Sequence, residues 1–165
     1  MAEWVTGMFL TRASAERAVA DLQALGYAQD EISVLMSDQT RARQFAVDTA
    51  VKATEGAGIG AGIGGALGAL VALLTAGGAI VATGGAAVPL VAGPLAAALA
   101  GAGVGGLGGG LAGGLIGAGI SEERARAYEA TLYTGGILLA VRADNSNIAR
   151  VRQVLESDGA VNVQG

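Results

Sequence analysis

Cysteine and histidine are both absent from the 165 residues. Their absence excludes disulfides, thiolate chemistry, the usual zinc sites and histidine-based acid–base catalysis. Aromatic residues make up only 4% of the chain and charged residues 15%. A soluble domain ordinarily carries about a quarter charged residues, so this composition leans away from the common soluble balance. Ten basic against fourteen acidic residues leave a net charge of −4. No Lys/Arg cluster is available to follow a phosphate backbone, so nucleic acid is not an expected partner. The opening Met1-Ala2-Glu3-Trp4 lacks the basic region and apolar run of a signal peptide. The expected location is the cytoplasm, or a membrane approached from its cytoplasmic side.

What the chain has in abundance is glycine. Residues 56–120 form a run of sixty-five without a single charge, and 23 of them are glycine. Two ladders of small residues recur there at helical spacing: Gly56, Gly60, Gly64, Gly68, and Gly101, Gly105, Gly109, Gly113, Gly117. Ile59 and Ile63 stand beside the first ladder, and Leu107, Leu111 and Leu115 beside the second. Glycine costs about 1 kcal/mol per interior helical position relative to alanine, so such a helix is poor in isolation. Flat glycine grooves do let backbones approach, and an Ile/Leu ridge of one rod can fit the groove of another.

The flanking arms read differently. Residues 3–10 are a β-rich apolar run, with Thr11 and Ser14 as candidate N-caps. A helix over 14–25 places Ala15, Ala18, Val19, Leu22 and Leu25 on one face, and Gly26 ends it. A strand over 32–36 follows. The C-terminal arm repeats the pattern with a strand over 137–141. Its helix, capped by the 144–147 cluster, carries Ile148, Val151, Val154 and Leu155. Gly159 ends that helix, and a last short strand covers 160–163. The expected fold class is α+β: a ferredoxin-like split βαβ domain of residues 1–37 and 135–165. Both helices should lie on one sheet face, leaving the other free for a partner or for the insert.

Residues 38–134 are then an inserted α-helical hairpin rich in Gly and Ala, with 56–120 as its apolar core. A polar helix over 40–55 is expected to run on into the first ladder. Breakers gather at Gly77-Gly78, Gly84-Gly85, Pro89 and Gly93-Pro94. Pro94 opens a second rod reaching about residue 119. Ser121, followed by Glu122 and Glu123, caps a further helix to about Leu132. At 1.5 Å per residue, 56–76 would span about 31 Å and 94–119 about 39 Å, compatible with a bilayer. No Trp or Tyr lies within the run to mark a membrane interface.

Several patterns resemble chemical motifs without their context. Residues 60–65 and 103–108 satisfy GxGxxG, but neither has the full context of a strand before it, a helix after it and an acidic residue about twenty positions on. Asp30-Glu31 and Glu122-Glu123 read as a turn and a negatively charged first helical turn. Trp4 reads as sheet packing, and Tyr128 and Tyr133 as core or contact with the hairpin. Arg41, Arg43, Arg124 and Arg126 are solvated by default, although lipid headgroups at the hairpin base would also suit them. No catalytic, cofactor-binding or metal-binding set emerges, and no small-molecule substrate is evident.

Taken together, Val5-Thr6-Gly7-Met8-Phe9, residues 15–26, 31–35, 119–128 and 135–142 resemble the general-stress-protein 17M-like family. These are small bacterial proteins with a glycine-rich central hairpin. The resemblance implies a stress-response setting and no catalytic residue. Ser121 stands where proline is expected in relatives, a departure that a serine N-cap tolerates. The expected function is a non-catalytic, self-associating, membrane-associated structural protein anchored by its glycine zipper. A soluble homo-oligomer whose hairpins bury one another remains the open alternative.

Overall fold

The computed structural model describes residues 2–37, 40, 43, 89–101 and 110–165. Among them, one antiparallel sheet contains β1 (Ala2–Phe9), β2 (Ile32–Ser37), β3 (Pro89–Ala92), β4 (Ile137–Asp144) and β5 (Val161–Gln164). The spatial order is β3-β2-β4-β1-β5. The helices are α1 (Arg12–Ala24), α2 (Pro94–Gly101), α3 (Gly110–Gly117), α4 (Glu122–Tyr133) and α5 (Ile148–Ser157). The fold is mixed α/β. Strand β4 lies between β1 and β2, and β1 lies between β4 and β5, so the β1-α1-β2 and β4-α5-β5 units interleave.

The two amphipathic stripes of the arms account for the first core. Ala15, Ala18, Val19 and Leu22 of α1 and Val151 and Leu155 of α5 are buried against Val5, Phe9, Ile32, Val34, Met36 and alternate residues of β4. Gly7 makes that packing possible, since a Cβ there would lie 3.0 Å from the Cβ of Ala160. Leu25 does not join the stripe. The helix ends at Ala24, Gly26 turns the chain at φ +100°, and Leu25 is left 40% exposed. Thr11 is the N-cap, accepting from Ser14 N–H at 3.3 Å. Asn147 holds the N-cap position of α5 without a side-chain bond; its own N–H instead donates to Asp144 O.

The second sheet face, expected to be left for a partner or for the insert, is covered by helices of the stretch read as the insert. Met8, Leu35, Leu138 and Ala140 are covered by Leu95 and Leu99 of α2, Leu111 and Leu115 of α3, and Ala125, Tyr128 and Leu132 of α4. All five central positions of β4 from Ile137 to Val141 are therefore buried, which explains a continuous apolar run instead of alternation. Helices α2, α3 and α4 all come from the stretch read as an insert. So does β3, a strand the sequence reading did not anticipate, which pairs with β2 from Val34↔Ala92 to Ser37↔Pro89.

The expected second rod over 94–119 is not one helix. Gly110 adopts φ +49°, a left-handed conformation that a continuing right-handed helix does not contain. From α4, the Oε1 of Glu129 accepts the N–H of Leu111 at 3.2 Å and serves as the cap of α3. Both halves then bury leucines in the same core. Gly93 (φ +94°) fixes the other end, where Leu95 N–H donates to the buried Ser33 hydroxyl at 3.0 Å. The first ladder, the helix expected over 40–55 beyond Thr40 and Arg43, and Leu107 lie outside the described residues. Among those residues, no helix is long and apolar enough to cross a membrane.

Candidate functional site

One end of the sheet gathers the points where the glycine-rich stretch departs and returns. Strand register places Phe9 opposite Ile137, Met36 opposite Ile137, and Ser37 opposite Pro89. Leu10 follows β1 at this end, and Thr40 and Arg43 continue from β2. Tyr133, Thr134 and Gly135 lead from α4 into β4. Together, Leu10, Ser37, Thr40, Arg43, Tyr133, Thr134 and Gly135 line a cleft of about 240 Å³. Its floor is polar and internally bonded. The Ser37 and Thr40 hydroxyls are 2.8 Å apart, and Thr40 N–H donates to Ser37 Oγ at 3.2 Å. Thr134 donates its hydroxyl to Thr131 O at 3.0 Å. A Cβ at Gly135 would lie 3.9 Å from Thr40 Oγ1, so departure and return touch.

The rim differs from the floor. Leu10 is 62% exposed and Tyr133 53% exposed, the highest values among the large apolar side chains described. Arg43 is exposed beside them. Tyr133, expected in the core or against the hairpin, is not in the core: it is the last residue of α4 and falls off the Ala125–Tyr128–Leu132 stripe. Trp4 lies at the opposite end of β1, half-buried, with the Arg142 guanidinium 5.6 Å from its ring centre.

A second polar cluster ties the C-terminal strand to α4. Tyr128 is wholly buried, and its hydroxyl lies 3.0 Å from Thr6 Oγ1 and also donates to Asn162 O. Arg124 donates to Val163 O, and Ser121 turns its hydroxyl to Gln164 Oε1 at 3.4 Å instead of capping its own helix. Asn162 is the one non-glycine described with positive φ, at 55°. Burial pushes the Tyr128 hydroxyl's pKa up from its ordinary value, opposed by the Thr6 bond and the Arg124 charge. These contacts hold carbonyls of an edge strand that would otherwise be open to pairing. Their role is structural.

Of the ladder residues, Gly101, Gly113 and Gly117 are described. A Cβ at Gly113 would meet nothing within 4 Å, and Gly117 and Ile116 are exposed. Leu111 and Leu115 of the neighbouring ridge face the second core instead. Gly56, Gly60, Gly64, Gly68, Gly105, Gly109, Ile59, Ile63, Leu107 and Arg41 lie outside the described residues, as do both GxGxxG stretches. Asp30 and Glu31 form a 3₁₀ turn before β2, where Glu31 accepts Ala28 N–H at 2.9 Å. Arg126 pairs with Glu122 at 2.6 Å on the solvent side of α4.

Of the rim, Arg43 and Tyr133 stand out in the sequence, and Leu10 does not. Leu10 reads as the end of a strand, and nothing local distinguishes an exposed Leu at a strand end from a buried one. No family model, curated protein or solved structure matches the chain.

Proposed function

We propose that the protein is a non-catalytic, self-associating structural protein that rests on a membrane surface, its uncharged stretch dipping into one leaflet. The observation that carries this reading is the placement of both attachment points of residues 44–88 at one end of a closed body. Arg43 and Pro89 lie at that end, and both sheet faces are covered by the chain's own helices. Residues 56–88 contain no charge. Returning to the same side after two full crossings takes about 40 apolar residues, and this run has 33. A single crossing would leave the two attachment points on opposite sides. Shallow insertion satisfies both constraints.

The interleaved strand order supports reading the arms as a ferredoxin-like frame, with the glycine-rich stretch inserted in the chain between its second and third strands, β2 and β4. Gly113, Ile116 and Gly117 form the outward side of α3, the described part of the ladder that is left for a second copy. The resemblance to the general-stress-protein 17M-like family supports a setting in a stress response, and the location proposed is the cytoplasmic side of the membrane. Flotation of the purified full chain with phospholipid vesicles tests the reading, and the chain is expected in the lipid fraction. Protein that stays at the bottom of the gradient refutes membrane association. The soluble homo-oligomer then takes its place if light scattering without detergent gives a monodisperse multi-subunit particle. A monodisperse monomer that ignores vesicles refutes both.

A further inference from the structure

We infer that the end of the sheet carrying Leu10, Tyr133 and Arg43 is the face that docks on the bilayer, with Leu10 and Tyr133 seated among the lipid headgroups and upper acyl chains. This inference rests on the membrane reading above and adds the orientation of the body and the residues that fix it. Leu10 and Tyr133 are 62% and 53% exposed and line the same cleft, although they come from segments more than a hundred residues apart in sequence. Apolar exposure of single side chains is ordinary. Two of the largest cases lining one cleft, where residues 44–88 leave and return, is a specific arrangement.

The occupant follows from where the chain leaves and returns. The described chain departs at Arg43 and re-enters at Pro89, opposite Ser37. Residues 44–88 join those two points, and their uncharged part, 56–88, runs directly into Pro89, so lipid contact by that part brings this end of the body nearest the lipid surface. The chemistry there suits that zone. Tyrosine has an apolar ring and a polar tip and is favoured at the membrane–water boundary. Arginine can keep its charge at the headgroups while its stem lies on apolar surface. The cleft floor satisfies its own hydroxyls, since Ser37, Thr40 and Thr134 are hydrogen-bonded within it. No unsatisfied polar group of that floor is carried toward the acyl chains. Trp4 marks the far end. Six residues separate it from Leu10 along an extended strand, about 20 Å at 3.3 Å per residue.

That separation makes orientation measurable in the full chain. The probe is a phosphatidylcholine–phosphatidylglycerol vesicle whose acyl chains carry bromine, a short-range quencher of tryptophan. The wild type reports from Trp4, and a Trp4→Phe, Tyr133→Trp chain reports from the other end. Strong quenching at position 133 with little at Trp4 is expected. Equal quenching at the two ends, or stronger quenching at Trp4, overturns the inference while leaving membrane binding intact. A second variant, Leu10→Ser with Tyr133→Ser, alters only exposed positions and should retain the wild-type far-ultraviolet circular dichroism. It should partition onto vesicles about tenfold more weakly, the scale for removing two partly inserted side chains. Unchanged partition overturns the docking face. A wild type that never floats overturns the membrane reading itself. If the serine variant changes the particle mass in lipid-free light scattering and not its vesicle binding, the patch joins copies of the chain and the lipid assignment falls.

Discussion

Replacing Gly93 with alanine should loosen the point where the glycine-rich stretch is stapled to the sheet. Gly93 sits at φ +94°, and a Cβ there would lie 2.6 Å from Ile32 O and 2.8 Å from Ser33 Cα. Both are backbone atoms of β2 and have no rotamer with which to yield. The left-handed conformation costs a non-glycine residue about 1–2 kcal/mol, and overpacking adds about 1–3 kcal/mol. Relief requires the Gly93 turn to move off β2, which breaks the 3.0 Å bond from Leu95 N–H to the buried Ser33 hydroxyl. That bond contributes about 1 kcal/mol. A total of about 3–6 kcal/mol is large against the 5–15 kcal/mol that holds an ordinary domain together.

Urea unfolding followed by circular dichroism measures the loss. At a slope of about 1–3 kcal/mol per molar urea, the Gly93→Ala midpoint should fall by more than 1 M. Ser33→Ala alone should cost about 1 kcal/mol and should add little to Gly93→Ala, because both act on the same contact. A Gly93→Ala chain within about 0.5 kcal/mol of the parent, the range of neutral surface changes, would show that the turn is not held against β2 as described.

Three other outcomes follow from particular contacts. Tyr128→Phe keeps the ring but leaves the Thr6 hydroxyl buried without its 3.0 Å partner, so stability should drop by about 1–3 kcal/mol. Hydrogen exchange should then quicken at Val161–Gln164, and Thr6→Val in the same chain should recover part of the loss. Asp158 has a pKa raised from 3.8 by burial and by Asp21, against a weaker pull from Arg17, and its Oδ2 has no partner. A carboxyl whose folded value is raised penalises folding increasingly as pH climbs from the unfolded to the folded pKa. Asp158→Asn should therefore gain stability at pH 7 and little below pH 4 (about 2–4 °C in Tm if the gain is near 1 kcal/mol); lower stability at pH 7 would contradict this. Gly113→Leu should leave thermal stability unchanged or higher, since its Cβ meets nothing within 4 Å, yet reduce particle mass in light scattering if the ladder joins copies.

The arms were legible because their contrast is strong. Polar residues separate the apolar positions of α1 and α5, and Gly26 and Gly159 mark ends that bear positive φ of 100° and 92°. The glycine-rich stretch offers no such contrast. When every residue is apolar or glycine, periodicity cannot say which side of a helix is buried. Nothing in it could show that Leu95, Leu99, Leu111 and Leu115 all face the sheet. The break at Gly110 depends on Glu129, eighteen residues from the Leu111 it caps, and no local signal reports so distant a partner. Strand β3 is four residues long between glycine and proline breakers, shorter than any alternation can reveal. Ser121 and Asn147 occupy cap positions correctly read from sequence, but tertiary neighbours or backbone bonds replace the expected side-chain caps.

These differences divide the uncharged run into unlike halves. Leu111 and Leu115, expected as part of one ridge of the hairpin, complete the chain's own second core and are 5% and 0% exposed. A core position cannot also supply an intermolecular ridge without uncovering Met8, Leu35, Leu138 and Ala140. On that argument the described helices α2 and α3 are poor candidates for a membrane rod, and among the described residues the outward edge of α3 is what the ladder leaves for association. On the proposed reading the outward-acting part of the uncharged run is residues 56–88, too short for two crossings and tied to one side of the body directly at Pro89 and through residues 44–55 at Arg43. A lipid contact built on such a segment would be shallow, and the protein surface nearest to it would be the end of the sheet where Leu10 and Tyr133 are exposed.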